Sequence, residues 1–155
     1  MNTMTTRALA VGLLVAIWAY VASAARLHIS MGAGLVALGC FFAAGGGVPG
    51  LQKTVVATLS GVVWVLIAAA VRVAIGGGSV VAAIVLGATA AALALQSRLP
   101  LLTFTAGAFA GAGVAYGLGV NTLREGIRAG VALIVGALLG FAAERLAEMA
   151  RARRA

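Results

Sequence analysis

Six long stretches of the chain carry almost no charge, and basic residues mark their ends. They are 8–25, 27–52, 54–71, 73–97, 99–123 and 129–143, divided by Arg26, Lys53, Arg72, Arg98 and the Arg124–Glu125–Arg128 cluster. Uncharged apolar runs of about 18 residues read as helices that cross a hydrocarbon core of roughly 30 Å. The pattern predicts an all-α, polytopic transmembrane helix bundle of about six helices. It forms one integral membrane domain, 1–155, whose end, 144–155, is a basic cytoplasmic tail.

Local signals place several boundaries. Thr122-Leu123-Arg124-Glu125 has the spacing of a capping box opening the sixth helix, with a hydroxyl and a carboxylate set to meet free backbone N–H groups. Ser79 is placed to cap the fourth helix after Gly76-Gly77-Gly78, and Pro100 to stand in the first turn of the fifth. The second segment is barely long enough to span from Ser30 to Ala44. It then meets Gly45-Gly46-Gly47-Val48-Pro49-Gly50, which continues a helix poorly. Two readings stay open here: an ordinary inner loop, or a broken helix facing a cavity, since unpaired backbone at membrane depth is tolerated only inside protein or against water. Gly39–Gly45 also resembles Gly107–Gly113 at an offset of 68 residues. Two inverted three-helix repeats with a broken second helix are one arrangement consistent with this.

Composition supports the membrane reading. Hydrophobic residues make up 63% of the chain and charged residues 9%, too few to cover a soluble fold. The net charge of +8 would point to nucleic acid on a soluble chain. Here the cations sit at segment ends, where they set topology and meet anionic lipid head groups. With six spans, Arg7, Lys53, Arg98, Arg145, Arg151, Arg153 and Arg154 share one side, and Arg26, Arg72, Arg124 and Arg128 the other. The positive-inside rule then puts both termini in the cytoplasm. A five-span arrangement with a re-entrant second run divides the charges equally well. The aromatic residues favour six, because Trp18, Tyr20, Trp64 and Tyr116 then form one outer interfacial belt. The N-terminal run ending in Ala22-Ser23-Ala24 imitates a cleavable signal. It is read as an uncleaved first helix because five more apolar runs follow.

Chemistry is sparse. Cys40 is the only cysteine and is read as a buried small hydrophobe; His28, the only histidine, is read as a solvated loop residue. No metal-ligand set, phosphate-binding loop or nucleophile–base pair is present, so neither a cofactor nor an enzyme activity is expected. The acidic residues cluster at the sixth helix and the tail, which argues against a proton relay or cation pore. The polar groups left in the runs are Ser23, Thr54, Thr58, Ser60, Thr89, Gln96, Thr103 and Thr105. Hydroxyls usually bond their own helix one turn back, but facing a cavity they suit neutral solutes better than ions. Gly107 and Gly111 form a GxxxG in the fifth helix. It allows close packing within one bundle, or an oligomer interface or narrow pore built on helices two and five.

The blocks Leu38–Ala43, Gly45–Gly47 with Gly50-Leu51, and Leu59–Trp64 resemble the YcdZ-like bacterial inner-membrane proteins, domain-of-unknown-function family 1097. Trp18 and the stretch Phe104–Gly111 extend the likeness over most of the chain. The resemblance implies a small polytopic membrane protein and names no substrate. Leu99-Pro100-Leu101-Leu102-Thr103 is separately similar to a short motif in urea channels, but Phe104-Thr105 stand where that motif has proline and phenylalanine. The expectation is a multi-pass protein of the bacterial inner membrane. It forms a homo-oligomer, meets anionic lipids at its basic tail, binds no nucleic acid, and acts as a passive channel or facilitator for a small uncharged solute. Gly45, Gly46, Gly47, Ser60, Thr103 and Thr105 are the pore candidates, and Gly107 and Gly111 the packing or interface candidates. The alternative is a scaffold or accessory subunit that transports nothing.

Overall fold

Apolar runs that cannot pair their backbone with water must pair it with themselves, and the chain does so as helices throughout. The structure, a computed structural model, describes residues 3–24 and 30–152. Arg26 and His28, expected in the first outer loop, and Arg153 and Arg154 of the tail lie outside the described residues. The described chain forms six α-helices: α1 (Thr3–Ala24), α2 (Met31–Ala43), α3 (Gly47–Ile75), α4 (Ser79–Leu95), α5 (Thr105–Gly117) and α6 (Leu123–Ala152). Two 3-10 turns, Gln96–Arg98 and Pro100–Leu102, join α4 to α5. Gly47–Ile75, Ser79–Arg98 and Leu123–Ala150 are each long and apolar enough to cross a membrane.

Several boundaries differ from the charge-defined runs. α3 starts at Gly47, so Val48, Pro49 and Gly50 form its first turn and are not loop. Proline is harmless there, because first-turn N–H groups have no helical partner. Pro100 opens a separate 3-10 turn and does not belong to α5, whose first residue is Thr105. Gly78, not Ser79, is the N-cap of α4, and no side chain caps it. The capping box of α6 is present: the Glu125 backbone N–H donates to Thr122 Oγ1, and the Thr122 N–H donates to Glu125 Oε2 at 3.0 Å. The segment 144–152 forms the last turns of α6, with Arg145 paired to Glu148 at 3.0 Å on its exposed face.

The bundle has an internal two-fold pattern. Helices of 22, 13 and 29 residues are followed by helices of 17, 13 and 30. α3 packs chiefly on α5, and correspondingly α6 packs on α2; α1 lies on α6 as α4 lies on α3. Gly126 faces Leu66 and Gly130 faces Leu59, so α3 and α6 run antiparallel. Gly107 faces Ala57 while Gly111 faces Thr58, so α5 runs alongside α3 in the same direction. The two halves are therefore inverted repeats.

Their register comes from two equal helix ends. α2 closes with Ala44 N–H on the Cys40 carbonyl, Gly45 on Phe42 and Gly46 on Phe41. α5 closes with Leu118 on Val114, Gly119 on Tyr116 and Val120 on Ala115. Each is a Schellman motif, and each has a left-handed glycine at the required place, Gly45 (φ 98°) and Gly119 (φ 67°). The repeats are thus related by 74 residues (Ala44 to Leu118, Gly45 to Gly119), not by the 68 that matching glycines indicates.

Glycine sets how closely the helices approach. A Cβ on Gly61 would collide with the Ala108 carbonyl, one on Gly111 with the Thr58 backbone, and one on Gly136 with the Gly34 backbone. Buried alanines, Ala37, Ala57, Ala108, Ala132 and Ala137, fill the same seams. Lipid tails are as apolar as a leucine core, so such close packing, rather than exclusion of water, holds helices together here. Many large apolar side chains point outward instead, for example Leu9, Leu13, Val73 and Ile84, while Phe41, Leu93 and Leu133 are buried.

Candidate functional site

α3 is the spine of the candidate site. Lys53 and Arg72 lie 19 residues apart on it, which is about 28 Å of helix and close to one hydrocarbon thickness. Ser60 and Trp64 lie between them, one turn apart on a single face. Ser60 is about 10 Å along the axis from Lys53 and about 18 Å from Arg72, well inside the apolar stretch of α3.

At that depth α4 stops being a regular helix. Leu99 precedes a proline, which disfavours the helical backbone, and it is extended (φ −84°, ψ 131°). Just before the break, the end of α4 sets Gln96 against Ser60 and Trp64. The Trp64 indole Nε1–H donates to Gln96 Oε1 at 3.0 Å, Gln96 Nε2 donates to Ser60 Oγ at 3.1 Å, and Ser60 Oγ donates to the Ala57 carbonyl at 2.7 Å. Gln96 is buried. The reversal continues through Leu99–Leu102, which faces Val56, Leu59, Ser60 and Val63 of α3 across a shallow cleft. Phe104 then folds its ring onto Gly107 as α5 turns back.

The pore candidates do not converge on this cluster. Of them only Ser60 belongs to it. Thr103 is exposed and donates to the Pro100 carbonyl at 3.5 Å, and Thr105 is half-buried at the start of α5. Gly45, Gly46 and Gly47, all with positive φ, make the tight reversal from α2 into α3. That reversal is sealed by the buried carboxylate of Glu144 on α6, whose Oε2 accepts the Gly47 N–H at 2.6 Å. An anion at the first N–H of a long helix also opposes the positive end of its dipole. Gly107 and Gly111 lie buried against α3 within the same chain. The other hydroxyls turn back on their own helices: Thr58 to the Thr54 carbonyl and Thr89 to the Val85 carbonyl, each at 2.8 Å, and Ser23 to the Tyr20 carbonyl at 2.9 Å. Thr54 Oγ1 is buried with no partner.

Trp64, Gln96 and Glu144 are the residues that sequence reasoning undervalues. Trp64 looks like an interfacial anchor, but its indole N–H faces inward. Gln96 looks like one more polar residue near a helix end. Its signal is the proline four residues later, which ends α4 close to Gln96. Glu144 looks like part of a charged tail because it follows the last apolar run directly.

No curated protein and no solved structure matches the chain. The family described as protein of unknown function (DUF1097) matches residues 8–148. An all-helical chain of apolar helices matched over nearly its whole length in this way belongs to the DUF1097 family.

Proposed function

We infer that the protein is a passive facilitator for a small, uncharged, polar solute in the bacterial inner membrane. The observation that carries this reading is the pair of inverted repeats, each with a 13-residue middle helix. Such a helix is about 20 Å long, too short to cross the apolar layer alone. Inverted repeats with interrupted helices commonly place a solute site near mid-membrane, where the halves meet. The Ser60–Trp64–Gln96 cluster supplies an amide and a hydroxyl at that depth. Its groups are neutral, and Glu144 is held by the α3 terminus. An ion entering there would lose its hydration shell for little in return. The reading takes both termini as cytoplasmic, the basic end of α6 as lying on anionic lipid, and the protein as a homo-oligomer without enzymatic activity.

A second reading, a scaffold or accessory subunit, is favoured by one specific observation. The described hydroxyls are nearly all spent on their own helices, and the backbones of α3 and α5 touch. Ala83, Gly87 and Ala91 meanwhile present a small-residue face on the outside of α4. Light-scattering measurements on proteoliposomes separate the two. The facilitator reading expects faster swelling in urea or glycerol than in empty vesicles, no ionic current, and a slower flux in Ser60→Leu or Gln96→Leu. If no small solute moves faster than through bare lipid, the scaffold reading replaces it.

A further inference from the structure

α3 also borders a cleft that the solute reading does not use. It has a volume of 440 Å³ and is bounded by α3, α4 and α5. Val65, Val85, Leu86, Leu93 and Phe109 make its walls apolar. Of its two hydroxyl residues, Thr89 is already bonded to the Val85 carbonyl, and Tyr116 stands at the Arg72 end. One end is cationic: Arg72 lines it, and lines as well an adjoining recess of 180 Å³ beside Gly119 and Asn121 at the turn between α5 and α6.

Among the described residues no carboxylate pairs with Arg72. Its Nε is buried without a hydrogen bond. Among the described residues no carboxylate lines the cleft or the recess. The comparison between the two halves sharpens this. At the reversal between α2 and α3, Glu144 near the end of α6 supplies the anion. At the equivalent reversal between α5 and α6, the end of α3 supplies Arg72, and the nearby Glu125 is engaged by the Asn121 and Thr122 backbone N–H groups. A guanidinium stays charged at any physiological pH, and a buried unpaired donor on it is costly.

We propose that this cleft is a binding site for an anionic phospholipid, one acyl chain lying between α4 and α5 and the phosphate meeting Arg72. A hydrocarbon chain matches the apolar walls. A phosphate matches a guanidinium fork at the edge of the hydrocarbon layer. The absence of an acid from both linings leaves nothing to receive the ammonium of a zwitterionic head group, so a net anionic head group fits.

The test is lipid retention by the full-length protein, extracted in mild detergent from vesicles of equal phosphatidylglycerol and phosphatidylcholine and weighed intact by native mass spectrometry. One phosphatidylglycerol per chain should survive in preference to phosphatidylcholine. Arg72→Gln should weaken that retention about tenfold, the size expected for loss of one charge-assisted contact. Gly113→Leu should weaken it too with Arg72 intact, because Gly113 lines the cleft and has open space where its Cβ would be. Gly12→Leu, equally open but on α1, should leave it unchanged. Equal retention of both lipids, or retention indifferent to Arg72→Gln and Gly113→Leu, overturns the proposal. So does disulfide-linked dimer from Gly113→Cys in a Cys40→Ala background, which would put a second copy in the cleft.

Discussion

Gly111 and Gly113 are two residues apart and opposite in consequence. Gly111 lies against the Thr58 backbone, while nothing stands within 4 Å of a Cβ on Gly113. Gly111→Ala and Gly61→Ala should each lower stability by about 1–3 kcal/mol, since backbone cannot yield as a side chain can. Gly113→Ala should be neutral or stabilising by up to about 1 kcal/mol, because alanine is the better helix former. Unfolding midpoints in detergent compare the three, and an unchanged midpoint for Gly111→Ala would mean that the α3 and α5 backbones do not touch. At Gln96 the contacts are polar. Gln96→Leu leaves the Trp64 indole N–H without its acceptor and should cost about 1–2 kcal/mol, with a shift in Trp64 fluorescence as its nearest dipole disappears.

Among the helices, the two N-termini solve one problem by different means. α6 is capped by Thr122 and Glu125, three residues apart, whereas α3 is capped by Glu144, 97 residues from the Gly47 it holds. Spacing alone reveals the first and cannot reveal the second. Glu144→Ala should free the Gly47 N–H and destabilise the bundle by about 1–3 kcal/mol, with faster amide exchange at Gly47. Glu144→Gln keeps a carbonyl acceptor and should lose less. Equal losses from the two would mean that the carboxylate acts by filling space and not by accepting the hydrogen bond. The helix ends at Gly45 and Gly119 follow the same logic. A left-handed residue is required at both, so Gly45→Val should cost about 1–2 kcal/mol although the position is exposed.

For the whole molecule, inverted repeats of three helices make a definite statement about direction. An odd number of helices per half reverses the second half, and the antiparallel α3 and α6 agree with this. If each of the six helical segments, the two short ones together with their flanking turns, carries the chain across in turn, both ends finish on one side. Reporter fusions at Met1 and Ala155 should then both give cytoplasmic signals. Opposite sides would require the five-span arrangement, with the second run re-entrant.

The sequence by itself determined the class, the number of helices, the box that opens α6 and the family. All of these rest on signals that are local or one-dimensional: charge interrupting apolar runs, and partners three residues apart. Only the tertiary structure decided which glycines face a neighbour. It also decided the repeat offset of 74 over 68, the inward turn of Trp64 onto Gln96, and the seal of Glu144 on the α2–α3 reversal. In water, an apolar stripe tells which side of a helix is inside. In lipid the outside is as apolar as the inside, so the stripe vanishes, and the inner face is marked only by shape and by rare polar pairs. Gly111 and Gly113 read alike along the chain because the difference between them lies in Thr58, more than fifty residues away.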